Sequence, residues 1–113
     1  MRMANARLQF ERCYNPDGVT RQMAALMKVG DRTELLKTIK IPTTVIHGVD
    51  DALIPIACGE DTAKSISDSV FVAINGMGHN IPESLVSEFV AVIDKHLARV
   101  SKSLAEDVQA NEL

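Results

Sequence analysis

A chain of 113 residues with 46% apolar and 24% charged side chains is sized for one domain around one hydrophobic core, and its composition excludes an extended disordered segment or a membrane-embedded bundle. A net charge of −3 carried on scattered side chains, with one Tyr and no Trp, offers neither a basic stripe for phosphates nor a stacking platform for bases, so nucleic acid is not an expected partner. No apolar run approaches a membrane span, and no apolar stretch of leader length follows Met1-Arg2-Met3, so no membrane partner is expected and the expected location is cytoplasmic.

Within residues 3–14, Ala6, Phe10 and Cys13 recur at helical spacing, and Asn15-Pro16-Asp17-Gly18 closes that helix in a turn. Val19, Met23, Leu26 and Met27 put an apolar stripe on a second helix stopped by Gly30, its methionines expected as core filler. Asp31 suits the N-cap of a short third helix, with Glu34 three residues on and Leu35, Leu36 and Ile39 turned inward. From Pro42 the texture changes. Thr43-Thr44-Val45-Ile46 is β-branched throughout and runs into Gly48, the pattern of a short strand covered on both faces.

Ile56, Gly59, Ala63 and Ile66 step by three and four along a compact helix whose small residues permit close packing on a sheet, and Glu60 and Lys64 pair along it. Val70, Phe71, Val72, Ala73 and Ile74 make a second buried strand, and strand, helix, strand in that order implies a right-handed parallel unit. Pro82 suits the first turn of a long final helix with Leu85, Phe89, Ile93 and Val100 on its apolar face. Residues 101–113 form a polar, acidic tail that either frays or carries the helix into solvent. The expected fold class is α/β: a helical N-terminal segment, one parallel β-α-β unit and a long C-terminal helix.

The chemistry-bearing residues follow the two strands. Asp51 lies just past the first and His79 just past the second, where the carboxyl edge of a parallel sheet presents side chains to a ligand. A carboxylate beside an imidazole fixes the ring tautomer, leaves the second ring nitrogen free to take a proton, and stabilises the imidazolium that forms. Gly76 and Gly78 let the His79 loop turn sharply. His47 reads as a packed or hydrogen-bonded core histidine, Asp50 as a residue that orients the loop or simply faces water, the latter favoured, and His96, among Asp94 and Lys95, as part of a solvated helix face. Cys13 and Cys58 lack the spacing of a metal knuckle or redox pair and read as buried thiols. Neither a metal nor a dinucleotide is expected, because no His-x-x-x-His pair occurs and Gly76-x-Gly78 lacks a third glycine.

The run from Ile41 through His47-Gly48-Val49-Asp50-Asp51-Ala52-Leu53-Ile54-Pro55, followed by Gly76-Met77-Gly78-His79-Asn80, resembles the C-terminal third of an α/β-hydrolase. Members of that superfamily carry a strand ending in His-Gly-x-x-Asp-x-x-x-Pro for the catalytic acid and then a Gly-x-Gly-His loop for the base. The resemblance thus implies a catalytic acid at Asp51 and a catalytic base at His79. The stretch from Arg12 through Gly18, Arg21 to Ala25 and Gly30 to Thr33 resembles the cap-to-core connection of bacterial methyl-ester hydrolases and related esterases. Residues 1–100 would then be the C-terminal portion of such a domain.

What the resemblance implies is carboxylic ester hydrolysis by a Ser, Asp, His relay, with a small-molecule ester as substrate of the complete enzyme and no cofactor. The departure is the nucleophile. Every serine lies at or after Ser65, none has glycine two residues to either side, and Ser84, near a helix start, reads as a solvent-facing first-turn residue. Two expectations follow: a hydrolase-family chain inactive alone, or a non-catalytic module whose open sheet edge associates with itself or with a partner chain.

Overall fold

The computed structural model describes residues 2–111, so the start of the chain at Met1 and the last two positions of the polar tail lie outside the described residues. It divides into two compact units, residues 1–32 and 33–113.

The first unit holds helix α1, Arg2–Arg12, and helix α2, Pro16–Val29. Between them Asn15 caps α2, its side-chain oxygen accepting from the Gly18 amide at 2.9 Å, and Pro16 occupies the first turn, where its missing N–H costs nothing. Gly30 ends α2 at φ 63°, a conformation that only glycine adopts without strain. The apolar stripe of α2 is not core: Val19, Met23, Leu26 and Met27 are all exposed and no residue of the helix is buried. Two helices alone cannot enclose a stripe of that width. Cys13 is exposed as well, which corrects its reading as a buried thiol.

The second unit opens with a single helical turn, α3, Thr33–Leu36, continued by tighter bonds from Thr38 to Leu35 and from Ile39 to Leu36. Strand β1, Thr43–Gly48, helix α4, Ile56–Ser65, and strand β2, Ser69–Ile74, follow in order. The strands pair in parallel, with Thr43 opposite Ser69 and Gly48 opposite Ile74. Because successive side chains of a strand point to opposite faces, the sheet is covered differently on each side. His47 and Phe71 face α4, whereas Thr44, Ile46, Val70 and Val72 face the last helix, α5, Val86–Asn111.

Helix α4 buries Gly59 and Ala63 against the sheet. Cys58, one residue earlier, is turned about 100° round the helix and is exposed, again against the expectation of a buried thiol. Pro82 precedes a 3-10 turn, Glu83–Leu85, rather than entering the long helix itself. Helix α5 runs without interruption through the stretch expected to be tail, as far as Asn111. Arg99 ties it to the start of both strands, donating to the Thr43 carbonyl at 2.7 Å and to Asp68 at 2.8 Å. Among the described residues the buried apolar core is small: Ala63, Ile66, Ile74 and Met77. Among the described residues no helix is long and apolar enough to cross a membrane.

Candidate active site

The segments leaving the two strands are stitched together by their backbones. Val49 donates to the Ile74 carbonyl and Asp50 to the Met77 carbonyl, both at 3.0 Å. Gly48 makes this approach possible, since a Cβ there would lie 2.2 Å from the Met77 oxygen and 2.6 Å from that of Gly78. On the other side Gly76 takes φ 75°, so the turn before His79 also needs glycine. Asp50 does not simply face water as expected. Its Oδ2 accepts from the Gly76 amide at 2.9 Å, a third tie between the loops.

This frame puts Asp51 and His79 in contact. Asp51 Oδ2 lies 2.9 Å from His79 Nδ1, and because a carboxylate has no proton to give, the ring nitrogen donates. Asp51 Oδ1 accepts from the amides of Leu53 at 2.8 Å and Ile54 at 3.0 Å, closing an Asx-type turn that fixes the carboxylate plane. The Asp51 side chain is only 6% exposed whereas that of His79 is 54% exposed, so the carboxylate is sheltered and the ring open. The Ile54 amide first, then the His79 ring and the Leu53 amide, lower the Asp51 pKa to about 2, outweighing the opposing effect of burial.

With Nδ1–H committed to Asp51, the His79 ring keeps a lone pair on Nε2, the form a general base needs. No serine side chain among the described residues hydrogen-bonds that ring. Ser84, the nearest in sequence, lies in the 3-10 turn and is exposed. The described residues contain no group of three or more His, Cys, Asp or Glu able to hold a metal ion.

His47 is packed and hydrogen-bonded as expected, half-buried against α4 with its Nε2 2.9 Å from the Ile54 carbonyl. Sequence reasoning underrated His96. His96 is not on a solvated face: it is half-buried, with Nδ1 3.0 Å from the Thr44 hydroxyl. The signal was present, because His96 sits four residues after Val92 and seven after Phe89, on the face α5 turns to the sheet. A groove of 290 Å³ beside His96 is lined by Pro42, Thr44, Ile46, Val92 and Ile93 and does not include Asp51 or His79.

Over about half its length the chain is a partial homologue of proteins of the α/β-hydrolase superfamily, and its fold matches part of a solved esterase. It is 42% identical over 52 residues to a non-heme chloroperoxidase of Kitasatospora aureofaciens, covering 45% of this chain and 19% of that protein. It is 32% identical over 53 residues to a bifunctional esterase/perhydrolase of Acinetobacter calcoaceticus, covering 46% of this chain and 19% of that protein. Among solved structures, an esterase from a Rhodococcus species superposes with a TM-score of 0.54 at 24% identity, over 60% of this chain and 25% of the esterase, a likeness of fold. The chain thus spans about a fifth of the length of the curated relatives it matches. No family model matches it.

Proposed function

We propose that this chain carries the acid and base positions, Asp51 and His79, of a carboxylic ester hydrolase working by a Ser-Asp-His relay. The observation that supports the reading is the 2.9 Å contact between Asp51 Oδ2 and His79 Nδ1, which leaves Nε2 outside that bond on a ring that is 54% exposed. In such a relay Nε2 takes the proton from a serine hydroxyl as its oxygen attacks the ester carbonyl, and returns that proton to the departing alkoxide. Asp51 stays ionised throughout, holding the ring in register and stabilising the imidazolium.

The 113 residues supply no elbow serine, so alone they turn over no ester. The esterase and perhydrolase activities named for one relative make a small-molecule ester the expected substrate of the complete site. The test is to treat the chain with a fluorophosphonate probe and an aryl ester, first alone and then mixed with a separately produced α/β-hydrolase segment bearing a Gly-x-Ser-x-Gly elbow. Alone, neither serine labelling nor turnover is expected; turnover restored on mixing and abolished by His79→Ala supports the relay. Stoichiometric labelling of a serine in the chain alone, or turnover indifferent to His79, overturns it.

A second reading, association without catalysis, is favoured by the open sheet. Among the described residues β1 pairs only with β2, and its other edge runs beside the apolar groove lined by Pro42, Ile46, Val92 and Ile93. A partner strand or a second copy of the chain would pair there.

A further inference from the structure

His47 belongs to the site, although neither the relay nor the resemblance assigns it a role. We propose that His47 is a positioning residue for the acid: its ring holds the Ile54 carbonyl, and through Ile54 orients the Asp51 carboxylate toward His79. This rests on reading Asp51 and His79 as acid and base.

The geometry forms one continuous chain of contacts. His47 is the penultimate residue of β1, and its ring is seated against α4 at Gly59, where a Cβ would lie 2.5 Å from Nδ1 and 2.9 Å from Cγ. Only glycine lets the helix close on the ring. The His47 side chain is 12% exposed, and Nε2 lies 2.9 Å from the Ile54 oxygen. A carbonyl oxygen cannot donate, so the Nε2–H tautomer makes this bond. Ile54 in turn gives its own amide to Asp51 Oδ1 at 3.0 Å, and Oδ2 of the same carboxylate meets His79. Bonded at both its amide and its carbonyl, Ile54 cannot rotate without breaking one of the two.

Direct action of His47 on the acid is weaker, because Nε2 stands 3.9 Å from Asp51 Oδ2, beyond hydrogen-bond length. The influence passes through the turn. That the Ile54 amide is the largest cause of the low Asp51 pKa agrees with this route. A merely space-filling role would need a ring of this size but no donor at Nε2.

The test follows the Asp51 carboxyl and the His79 ring by NMR in the full chain, wild type beside His47→Leu and His47→Gln. In His47→Leu, Asp51 is expected to titrate higher, moving from about 2 toward 3.8, and the bonded Nδ1–H signal of His79 to weaken. His47→Gln, whose side-chain amide can donate to the Ile54 carbonyl, is expected to restore most of both. If His47→Leu folds and leaves Asp51 and His79 unchanged, the positioning role is overturned. Should that variant not fold, the wild-type ring decides: His47 as a protected Nε2–H tautomer supports the role, and an Nδ1–H tautomer overturns it. A wild-type Asp51 that titrates as an ordinary carboxylate would instead remove the acid-base reading, and the positioning role with it.

Discussion

Three donors converge on the Asp51 carboxylate, and their combined effect has a sign in pH. The group releases its proton at about 2 in the fold and at roughly 3.9 in an unfolded chain. Its stabilising contribution is therefore fully present above the unfolded value and is lost as pH falls through the folded one. Asp51→Asn is expected to flatten the acid limb of stability between about pH 4 and pH 2, which urea unfolding stepped through that window would record. His79→Ala should raise the Asp51 pKa only part of the way, because the Ile54 and Leu53 amides remain; a full return to the ordinary value would mean that the ring alone holds it. The contact between Asp51 and His79 was legible in the sequence because residue type, glycine spacing and position after a strand all agree for both. The partners of Asp50 and His96 were not, since each lies far off in the chain, the Gly76 amide and the Thr44 hydroxyl; His47 was legible as a packed or hydrogen-bonded histidine, but its partner, the Ile54 carbonyl, was not. Residue type alone does not select among such partners.

At the scale of elements, the site depends on how closely β1 can run against the loop after β2. Gly48→Ala would set a Cβ 2.2 Å from the Met77 oxygen, and since backbone must shift, a loss on the order of 2 kcal/mol is expected in denaturant unfolding. The same substitution should displace Asp51 from His79, so the His79 ring signal would change with it. Arg99 works at the opposite end of the strands. Arg99→Leu removes donors to Thr43 and Asp68 and is expected to cost about 1–2 kcal/mol, loosening α5 without reaching Asp51 and His79. Both strands were legible from their β-branched and apolar runs, as was the final helix from its spacing. The 3-10 turn after Pro82 and the length of α5 were not, because polarity beyond Val100 resembles a tail as much as an exposed helix face. The exposed stripe of α2 shows the converse: spacing identifies an apolar face but not whether anything covers it.

At the scale of the molecule, the second unit shelters the Asp51 carboxylate while leaving much apolar surface open. Among the described residues only Ala63, Ile66, Ile74 and Met77 are buried as core, whereas Ile41, Leu53, Leu97 and others stay exposed. Concentration-dependent association is the expected outcome, and sedimentation at micromolar concentration checks it; a monodisperse monomer that unfolds cooperatively would argue against an open edge seeking a partner. The catalytic reading has one premise, that Asp51 holds the His79 ring in the base-competent tautomer. The direct measurement is the ring-nitrogen NMR spectrum of His79 in the wild-type chain and in Asp51→Ala. A neutral Nδ1–H tautomer with a slowly exchanging ring proton is expected in the wild type, with that proton lost in the variant. An Nε2–H tautomer, or a ring signal indifferent to Asp51→Ala, would contradict the account.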